Sequence, residues 1–216
     1  MEIFKLVFSP IEVNTYILAD ESGDCAILDC GCYKDTEFST LTGLLEKKNL
    51  TPRLLLNTHC HLDHIFGNRF VLKMYNLRTL CHSGDEQNRL DSVRHAMFFG
   101  LEMEIPPEPQ RFIDDDQIIT FGSVRLKILH VPGHSPGSIA FFSEKEGVVF
   151  TGDALFAGTI GRTDIPGGDY GTLISSIKDK LLNLPPETVV YPGHGENTTI
   201  GEEMKTNPYF AAGKSY

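Results

Sequence analysis

The sequence lacks the segments that carry a chain to or through a membrane. No apolar stretch approaches the ~20 residues that a transmembrane helix requires. The N-terminus, Met1-Glu2-Ile3-Phe4-Lys5, has no basic region followed by a long apolar run, so we predict no signal peptide. Five cysteines, an odd number in a chain of 216 residues, argue against a disulfide framework. These absences favour a cytoplasmic protein without a membrane partner.

The chain also has little of the positive charge that a nucleic-acid partner requires. Lys and Arg number 19 against 29 Asp and Glu, which gives a formal net charge of −10. Binding to phosphates needs clustered cations, and the one basic pair of note, Lys47-Lys48, is interpreted as a solvated helix end. Apolar residues make up 41% and charged residues 22% of the chain, the balance of an ordinary soluble globular protein. We therefore expect a single domain over residues 1–216 and no nucleic-acid partner.

Short apolar runs alternate with turns along the chain, and a few stretches have helical spacing. The predicted strands are Ile3–Phe8, Thr15–Ala19, Ala26–Asp29, Arg53–Leu56, Val124–His130, Ile139–Phe142, Val148–Phe150 and Thr188–Tyr191. The predicted helices are Phe38–Lys48, Asp85–Arg94 and Tyr170–Leu182. Ile105–Pro109 is a proline-rich break, and Thr206–Tyr216 is expected to be a tail along the surface. The pattern predicts a mixed α/β fold with two strand-rich halves.

Side chains that bind metals follow four of the predicted strands, at the point where each strand ends. They are His59, His61, Asp63 and His64, then His134, then Asp153, and finally His194. Imidazole and carboxylate together suit zinc, iron or manganese, and ligands bind just beyond the carboxyl ends of strands in open α/β structures. Alternate residues of an extended turn point the same way, so His59 and His61 can converge on one ion. Asp63 and His64 can then address a second ion, whereas His82, His95 and His130 are interpreted as ordinary core or surface residues.

Four motifs surround these residues and carry a resemblance to a known family. The motifs are Thr58-His59-Cys60-His61-Leu62-Asp63-His64, Pro132-Gly133-His134, Thr151-Gly152-Asp153 and Pro192-Gly193-His194-Gly195. Through them the chain resembles the metallo-β-lactamase superfamily from about Asn14 to Pro208. Within that superfamily it is similar to glyoxalase II (hydroxyacylglutathione hydrolase) and its shorter relatives. The resemblance implies an αββα four-layer sandwich of the α/β (α+β) class, with metals at one edge of the two sheets.

The resemblance also implies a ligand set for two divalent metal ions. Zinc is the expected metal, with iron or manganese as alternatives. By matched motif, one ion is bound by His59, His61 and His134, the other by Asp63, His64 and His194, and Asp153 bridges both. The diiron flavoprotein branch, which usually has a Glu in place of the second His of the run, is disfavoured because His61 stands there.

The implied reaction is hydrolysis of a small-molecule acyl-thiol such as S-lactoylglutathione or a related thioester. A hydroxide between the two ions would attack the carbonyl carbon, with Asp63 and Asp153 as the catalytic carboxylates of the site. Glyoxalase II continues into a C-terminal helical domain that helps to hold glutathione, and we expect this chain to lack it. The segment Gly161-Arg162-Thr163-Asp164 lies where glyoxalase II has a basic residue and an aromatic pair. Arg162 and Tyr170 are therefore candidate substrate contacts, with an internal Arg162–Asp164 ion pair and packing at a helix start as the alternatives.

Two other reactions stay open from the sequence. The segment at Arg162 is also similar to persulfide dioxygenases, which use a single iron, and His59, His134 and Asp153 would form the two-His-one-carboxylate set of that branch. The same hydroxide would also attack a lactone or another ester. Two zinc ions would favour hydrolysis, and one iron with oxygen uptake would favour oxidation. The sequence also leaves a monomer and a homodimer equally open.

Overall fold

Two six-stranded β-sheets lie face to face in the computed structural model, which describes residues 1–211. The first sheet contains, in spatial order, β1 (Glu2–Phe8), β2 (Val13–Ala19), β3 (Asp24–Leu28), β4 (Thr51–Leu56), β5 (Thr79–Cys81) and β6 (Arg111–Phe112). The strands β1 to β3 are antiparallel, and β3 to β6 are parallel. Parallel neighbours need crossover connections, and the helices of the first half of the chain lie in those connections.

The second sheet follows in the chain and is mostly antiparallel. It is built from β7 (Ile118–Phe121), β8 (Val124–His130), β9 (Ile139–Ser143) and β10 (Val148–Gly152), and from the two later strands β13 (Val189–Pro192) and β14 (Thr198–Thr199). Its spatial order is β14-β13-β10-β9-β8-β7, and only β10 and β13 run parallel to each other. A small separate hairpin of β11 (Leu155–Phe156) and β12 (Thr159–Ile160) follows β10.

Helices cover the outer face of each sheet. They are α1 (Asp35–Lys47), α2 (Leu62–Ile65), α3 (Asn68–Tyr75), α4 (Glu86–Phe98), α5 (Tyr170–Ser176) and α6 (Ile200–Thr206). Leu41 of α1 and Val71 of α3 pack against the first sheet, and Leu173 of α5 and Ile200 of α6 pack against the second. The expected αββα sandwich is therefore confirmed.

The layers account for the burial pattern of the strands. Tyr16 and Leu18 of β2 point into the space between the sheets, and Ile17 between them points to the α1 side. Alternate residues of a strand face opposite ways, so all seven residues of β2 are buried because both faces of the sheet are covered. Phe141 and Phe150 complete the core from the second sheet.

The helix boundaries differ from the predicted ones for local reasons. α1 begins at Asp35 rather than at Phe38, because the Glu37 carboxylate accepts hydrogen bonds from the backbone N–H groups of Tyr33 and Lys34 and so caps an earlier turn. α4 runs one turn further than predicted and buries Ala96. The predicted helix Tyr170–Leu182 is regular to Ser176 and continues as a π-helical turn, Ile177–Leu181.

Several short elements were not predicted, and part of one prediction lies outside the described residues. The strands β5, β6, β7, β11, β12 and β14 and the helices α3 and α6 are new to the structure, whereas a helix at Asp63 and His64, now α2, was expected. The predicted surface tail extends past the described residues, and within them Phe210 packs against the α5 and α6 layer. No helix among residues 1–211 is both long and apolar enough to cross a membrane.

The space between the sheets gives a first prediction. Phe141 is fully buried, so we expect Phe141→Ala to lower the free energy of unfolding by about 3–5 kcal/mol through the cavity that it leaves. Phe98 is 87% exposed at the end of α4, so Phe98→Ala is the matched control, with an expected change within about 0.5 kcal/mol. Urea denaturation at equal metal loading measures both variants. Equal stability of the two would contradict the two-sheet core.

Candidate metal centre

All seven residues predicted to bind metal meet at one edge of the sandwich. His59 follows β4, Asp153 directly follows β10, and His194 follows β13. His134 lies in the loop between β8 and β9, while the short helix α2 begins next to His61 and carries Asp63 and His64. Since both sheets contribute, the packing of one sheet on the other fixes the geometry of the cluster.

Ligand-type atoms of these residues form three overlapping groups, each within 4.8 Å. The groups are His59, His61 and His134; His59, His64 and Asp153; and Asp63, His64 and His194. In the first group, His61 Nδ1 lies 2.8 Å from His134 Nε2. In the third, His194 Nε2 lies 3.1 Å from Asp63 Oδ2.

The Asp153 carboxylate lies between the first and third groups. Its Oδ1 atom is 3.3 Å from His64 Nε2, and its Oδ2 atom is 3.6 Å from both His134 Nε2 and His194 Nε2. One carboxylate thus faces imidazoles of both sets, which is the placement that a bridging ligand requires.

Buried polar atoms at the centre of the cluster have no hydrogen-bond partner among the described residues. They are His59 Nε2, His64 Nε2 and Asp153 Oδ1. An unsatisfied buried polar atom costs about 1–3 kcal/mol, and such atoms are uncommon in folded proteins. A divalent cation can be coordinated by imidazole nitrogen and by carboxylate oxygen, so these three atoms fit a metal site.

Burial and charge set the protonation of the cluster in the metal-free protein. Burial, helped by neighbouring imidazoles, lowers the pKa of His59 well below its usual range and the pKa of His61 to about 3. Burial alone would raise the pKa of Asp153, but His64 and His134 outweigh it and hold that pKa well below its ordinary value. Neutral imidazole and ionised carboxylate are the forms that bind metals. His59, His61 and Asp153 are therefore ready for a cation without a change of protonation.

His64 differs because three carboxylates surround it. Burial by itself would lower the pKa of His64, but the charges of Asp63, Asp153 and Asp29 outweigh it and raise the pKa well above its usual value. The metal-free protein therefore keeps a proton on His64, and a cation that binds there must displace that proton.

Backbone carbonyl groups orient two of the imidazoles. The Nδ1 atom of His134 lies 2.9 Å from the carbonyl oxygen of Arg162, and the Nδ1 atom of His194 lies 3.1 Å from that of Glu12. A carbonyl oxygen only accepts, so each Nδ1 carries a proton and each Nε2 faces the cluster.

Asp29 contacts residues of the cluster and of the motif around it. Its role was not identified from the sequence. Its carboxylate accepts hydrogen bonds from the backbone N–H and the hydroxyl of Thr58, at 2.8 and 2.7 Å, and its Oδ2 atom lies 3.0 Å from His64 Nδ1. The hydroxyl of Thr58 in turn lies 3.0 Å from His59 Nδ1. Asp29 has a φ of +52°, a left-handed conformation that Asp tolerates better than most residues. An Asp directly after β3 was the available signal in the sequence, but it indicated only the end of a strand.

Glycine in two of the motifs leaves space for the ligands. A Cβ atom at Gly193 would overlap Asp153 Oδ1 and lie 2.8 Å from His64 Cε1. A Cβ atom at Gly161 would overlap the carbonyl oxygen of Asp153. No side chain fits at Gly193 or Gly161, because atoms of Asp153 and His64 already occupy the place of its Cβ atom.

The predicted substrate contacts, Arg162 and Tyr170, are not part of the cluster. The guanidinium of Arg162 binds the carboxylate of Asp164 through two nitrogens, at 2.8 and 3.0 Å, and both side chains are exposed. The internal ion pair that the sequence left open is therefore present. Tyr170 is 55% exposed at the start of α5, and its ring centroid is 6.3 Å from that of Tyr209.

The other histidines lie outside the cluster, as interpreted from the sequence. His82 and His130 stack on each other with ring centroids 4.2 Å apart. His95 lies on α4, away from the three groups of ligand atoms.

Comparison with known proteins identifies the family. The model of the metallo-beta-lactamase superfamily matches residues 9–194. The chain belongs to this superfamily. The match confirms the expected membership. Members of this superfamily bind divalent metals and are generally hydrolytic enzymes, so the chain is a metal-dependent hydrolase in the broad sense.

Similar proteins of known sequence or structure span nearly the whole chain. Hydroxyacylglutathione hydrolase GloC of Haemophilus influenzae is 38% identical over 212 residues, which are 97% of this chain and 98% of that protein. The crystal structure of BLEG-1 B3 metallo-beta-lactamase is similar with a TM-score of 0.88 and 34% identity, over 97% of this chain and 99% of that one. The structure of TTHA1623 in a di-iron-bound form has a TM-score of 0.86 and 36% identity, over 95% and 99% of the two chains.

Gly193 tests how tightly the superfamily motif packs around the centre. We expect Gly193→Ala to weaken binding of zinc by about tenfold or more, because the new methyl group displaces Asp153 and His64 and even groups outside the ligand shell contribute about that much. Gly43→Ala is the control, since a Cβ atom there meets nothing within 4 Å and an alanine stabilises a helix by about 0.5–1 kcal/mol over glycine. Zinc titration against a chromophoric chelator measures both. Full zinc affinity in Gly193→Ala would refute the packing argument.

Proposed function

We propose that this chain is a binuclear metallohydrolase that cleaves acyl-thiols, with S-lactoylglutathione as the first candidate substrate. The observation that carries the proposal is the position of Asp153, whose two carboxylate oxygens face imidazoles of two different sets. A centre for one metal would need only one of those sets.

The proposed ligands follow the geometric groups. His59, His61 and His134 would hold the first ion, and Asp63, His64 and His194 the second, with Asp153 shared. When bound, two divalent cations supply Lewis acidity, which lowers the pKa of a water molecule and polarises a carbonyl oxygen. Zinc suits this imidazole and carboxylate set, and iron is the alternative, because TTHA1623 is described in a di-iron-bound form.

The protein's own groups hold and orient rather than attack. Asp63 and Asp153 are the proposed catalytic carboxylates, since neighbouring histidines hold the pKa of each below its usual value and both lie within 3.6 Å of His194 Nε2. Cys60 is not a nucleophile, because the neighbouring thiol of Cys81 and burial raise the pKa of Cys60 well above its usual value. A thiolate leaves without a strong general acid, since thiols ionise near pH 8.5.

The thioester assignment is supported by a relative of the same length. GloC of Haemophilus influenzae has the name of a hydroxyacylglutathione hydrolase, and this chain covers 98% of it. The superfamily domain that this chain shares therefore makes up nearly all of a relative with that name, which supports the same substrate class. Five free, buried cysteines suit a reducing compartment, and we propose the cytoplasm.

The single-iron oxidation that the sequence left open is less well supported. It would use His59, His134 and Asp153 and would give no role to the short contact between His194 Nε2 and Asp63 Oδ2. Hydrolysis of lactones or other esters would use the same seven residues, and substrate screening separates it from thioester cleavage.

His61 gives the direct test of the proposed function. With the zinc-loaded protein and S-lactoylglutathione, we expect His61→Ala to lower kcat/KM by more than about 100-fold, since even groups that only support metal ligands contribute about 10- to 100-fold. His95→Ala, on α4 outside the cluster, is the matched control and should retain full activity. Release of the thiol is followed spectrophotometrically, and elemental analysis gives the metal content.

The outcomes separate the candidate reactions. Two metal equivalents and turnover that His61→Ala abolishes would support the binuclear thioesterase. Oxygen consumption with a persulfide by protein that holds a single iron, without thioester cleavage, would replace it by the oxidative reaction.

Arg162 gives a separate test of substrate binding. We propose that its guanidinium binds a carboxylate of the substrate in competition with Asp164. Arg162→Ala should then raise KM about fivefold with kcat unchanged, which corresponds to the ~1 kcal/mol of an exposed charge pair. Asp164→Ala should lower KM, because it frees the guanidinium, and Arg125→Ala on β8 should change neither constant. Unchanged KM in Arg162→Ala would leave the ion pair as a purely structural contact.

A further inference from the structure

Asp85 is a fully buried carboxylate beside the candidate metal centre, and none of the three groups of ligand atoms includes it. It ends a single 3₁₀ turn, Ser83–Asp85, directly before α4. A buried carboxylate is costly unless hydrogen bonds satisfy it, so its partners show what it does.

Four donors fill the acceptor positions of the Asp85 carboxylate. Oδ2 accepts from the backbone N–H of Cys60 at 2.7 Å and from the hydroxyl of Ser135 at 2.9 Å. Oδ1 accepts from the backbone N–H of Gly137 at 2.7 Å and from the amide of Asn88 at 3.3 Å. A carboxylate has about four lone-pair positions, so this one is fully used by neutral donors.

Three of these donors belong to the two loops that carry the first ligand set, and the fourth, Asn88, lies on α4. Cys60 lies between His59 and His61, and Ser135 directly follows His134. One carboxylate therefore joins both loops that hold the three imidazoles of the first group. None of its four donors belongs to Asp63, His64 or His194, the third group.

The 3₁₀ turn that ends at Asp85 packs against the loop after His134 so closely that no additional side chain fits between them. A Cβ atom at Gly137 would lie 2.8 Å from Asp85 Oδ1, and a Cβ atom at Gly84 would lie 2.9 Å from the carbonyl oxygen of Pro136. The two glycines let the turn reach the loop after His134, and the carboxylate then fixes the distance between that loop and Cys60.

We propose that Asp85 is a positioning residue for the first metal alone, setting the separation between the His59-Cys60-His61 run and His134. The inference rests on the ligand sets of the proposed function, but it concerns affinity for one ion rather than turnover. Affinity for the first ion then depends on Asp85, and affinity for the second ion does not, although Asp85 is a ligand of neither.

Asparagine is not a neutral replacement at this position. One of its two polar atoms is an NH₂ group, which would face the backbone N–H of Cys60 or that of Gly137. Neither backbone donor can become an acceptor. Asp85→Asn therefore separates the two loops with almost no change in side-chain volume.

The experiment is a titration of cobalt(II) or zinc into metal-free Asp85→Asn in competition with a chromophoric chelator. We expect one of two equivalents to bind about 10- to 100-fold more weakly, the loss typical of groups that orient metal ligands, and the other to keep its affinity. His134→Ala and His194→Ala provide reference cobalt spectra for loss of the first and the second site. The weakened site in Asp85→Asn should match the His134→Ala spectrum.

A stability control separates positioning from general loss of structure. Leu41→Ala removes a fully buried side chain from the α1 layer and should lower the unfolding temperature while both metal affinities stay unchanged. If Asp85→Asn fails to fold, Ser135→Ala removes a single donor to the same carboxylate and should weaken the first ion alone, by a smaller factor.

Two results would overturn the inference: equal weakening of both ions, or no weakening of the ion bound by His134. Loss of the proposed function gives a different signature. A wild-type protein that binds both ions and cleaves no acyl-thiol would refute the thioesterase and leave the Asp85 result to be judged by affinity alone.

Discussion

The contact of Asp153 with imidazoles from both halves of the chain is the constraint on which the rest of the structure depends. His64 reaches it from the first sheet's side, and His134 and His194 reach it from loops of the second sheet. A carboxylate in this setting is stable only while those partners stay within a few ångströms, since an unpaired buried charge is far more costly than a paired one. The packing of Tyr16 against Phe150 between the sheets, with ring centroids 5.3 Å apart, therefore has a role in the chemistry as well as in stability.

Buried carboxylates outside the ligand set extend the same principle. Asp29 braces the run after β4, and Asp85 joins that run to the loop of His134. Glu203 of α6 accepts from the backbone N–H of Gly158 and from Asn207, and so holds the β11–β12 hairpin. Each accepts from backbone N–H or neutral side-chain donors, and Asp29 also lies 3.0 Å from the His64 imidazole, so each defines a distance between segments. Loops held in this way keep their ligands in place before any metal arrives, which lowers the reorganisation that binding would otherwise require.

The sequence predicted that the seven residues of the cluster would meet but did not predict the residues that support them, for a physical reason. His59, His61, Asp63 and His64 are close in sequence, and the other three ligands follow strands whose ends meet at one edge, so local pattern and strand order suffice to bring them together. The partners of Asp29, Asp85 and Glu203 lie 29, 50 and 45 residues away in the chain. No periodicity or spacing indicates such a contact. The short elements were missed for a related reason: strands such as β6 and β14 have two residues, too few for alternation to be recognised.

Specificity and metal positioning meet in the segment that follows β12. The carbonyl of Arg162 holds His134 through its Nδ1 proton, while the side chain of the same residue extends into solvent beside the cluster. The backbone at this position is therefore held by His134, whereas the side chains of Arg162 and Asp164 are exposed. The histidines of the cluster also differ in exposure. His59 and His64 are almost completely buried, whereas the His194 side chain is 26% exposed. The ring centroid of His194 lies 6.4 Å from that of Phe156. We therefore propose that a substrate approaches from the side of His194, where Phe156 of the β11–β12 hairpin lies. We therefore expect a change of side chains there to alter the substrate while the seven residues of the cluster stay in place, because none of those seven lies in this segment.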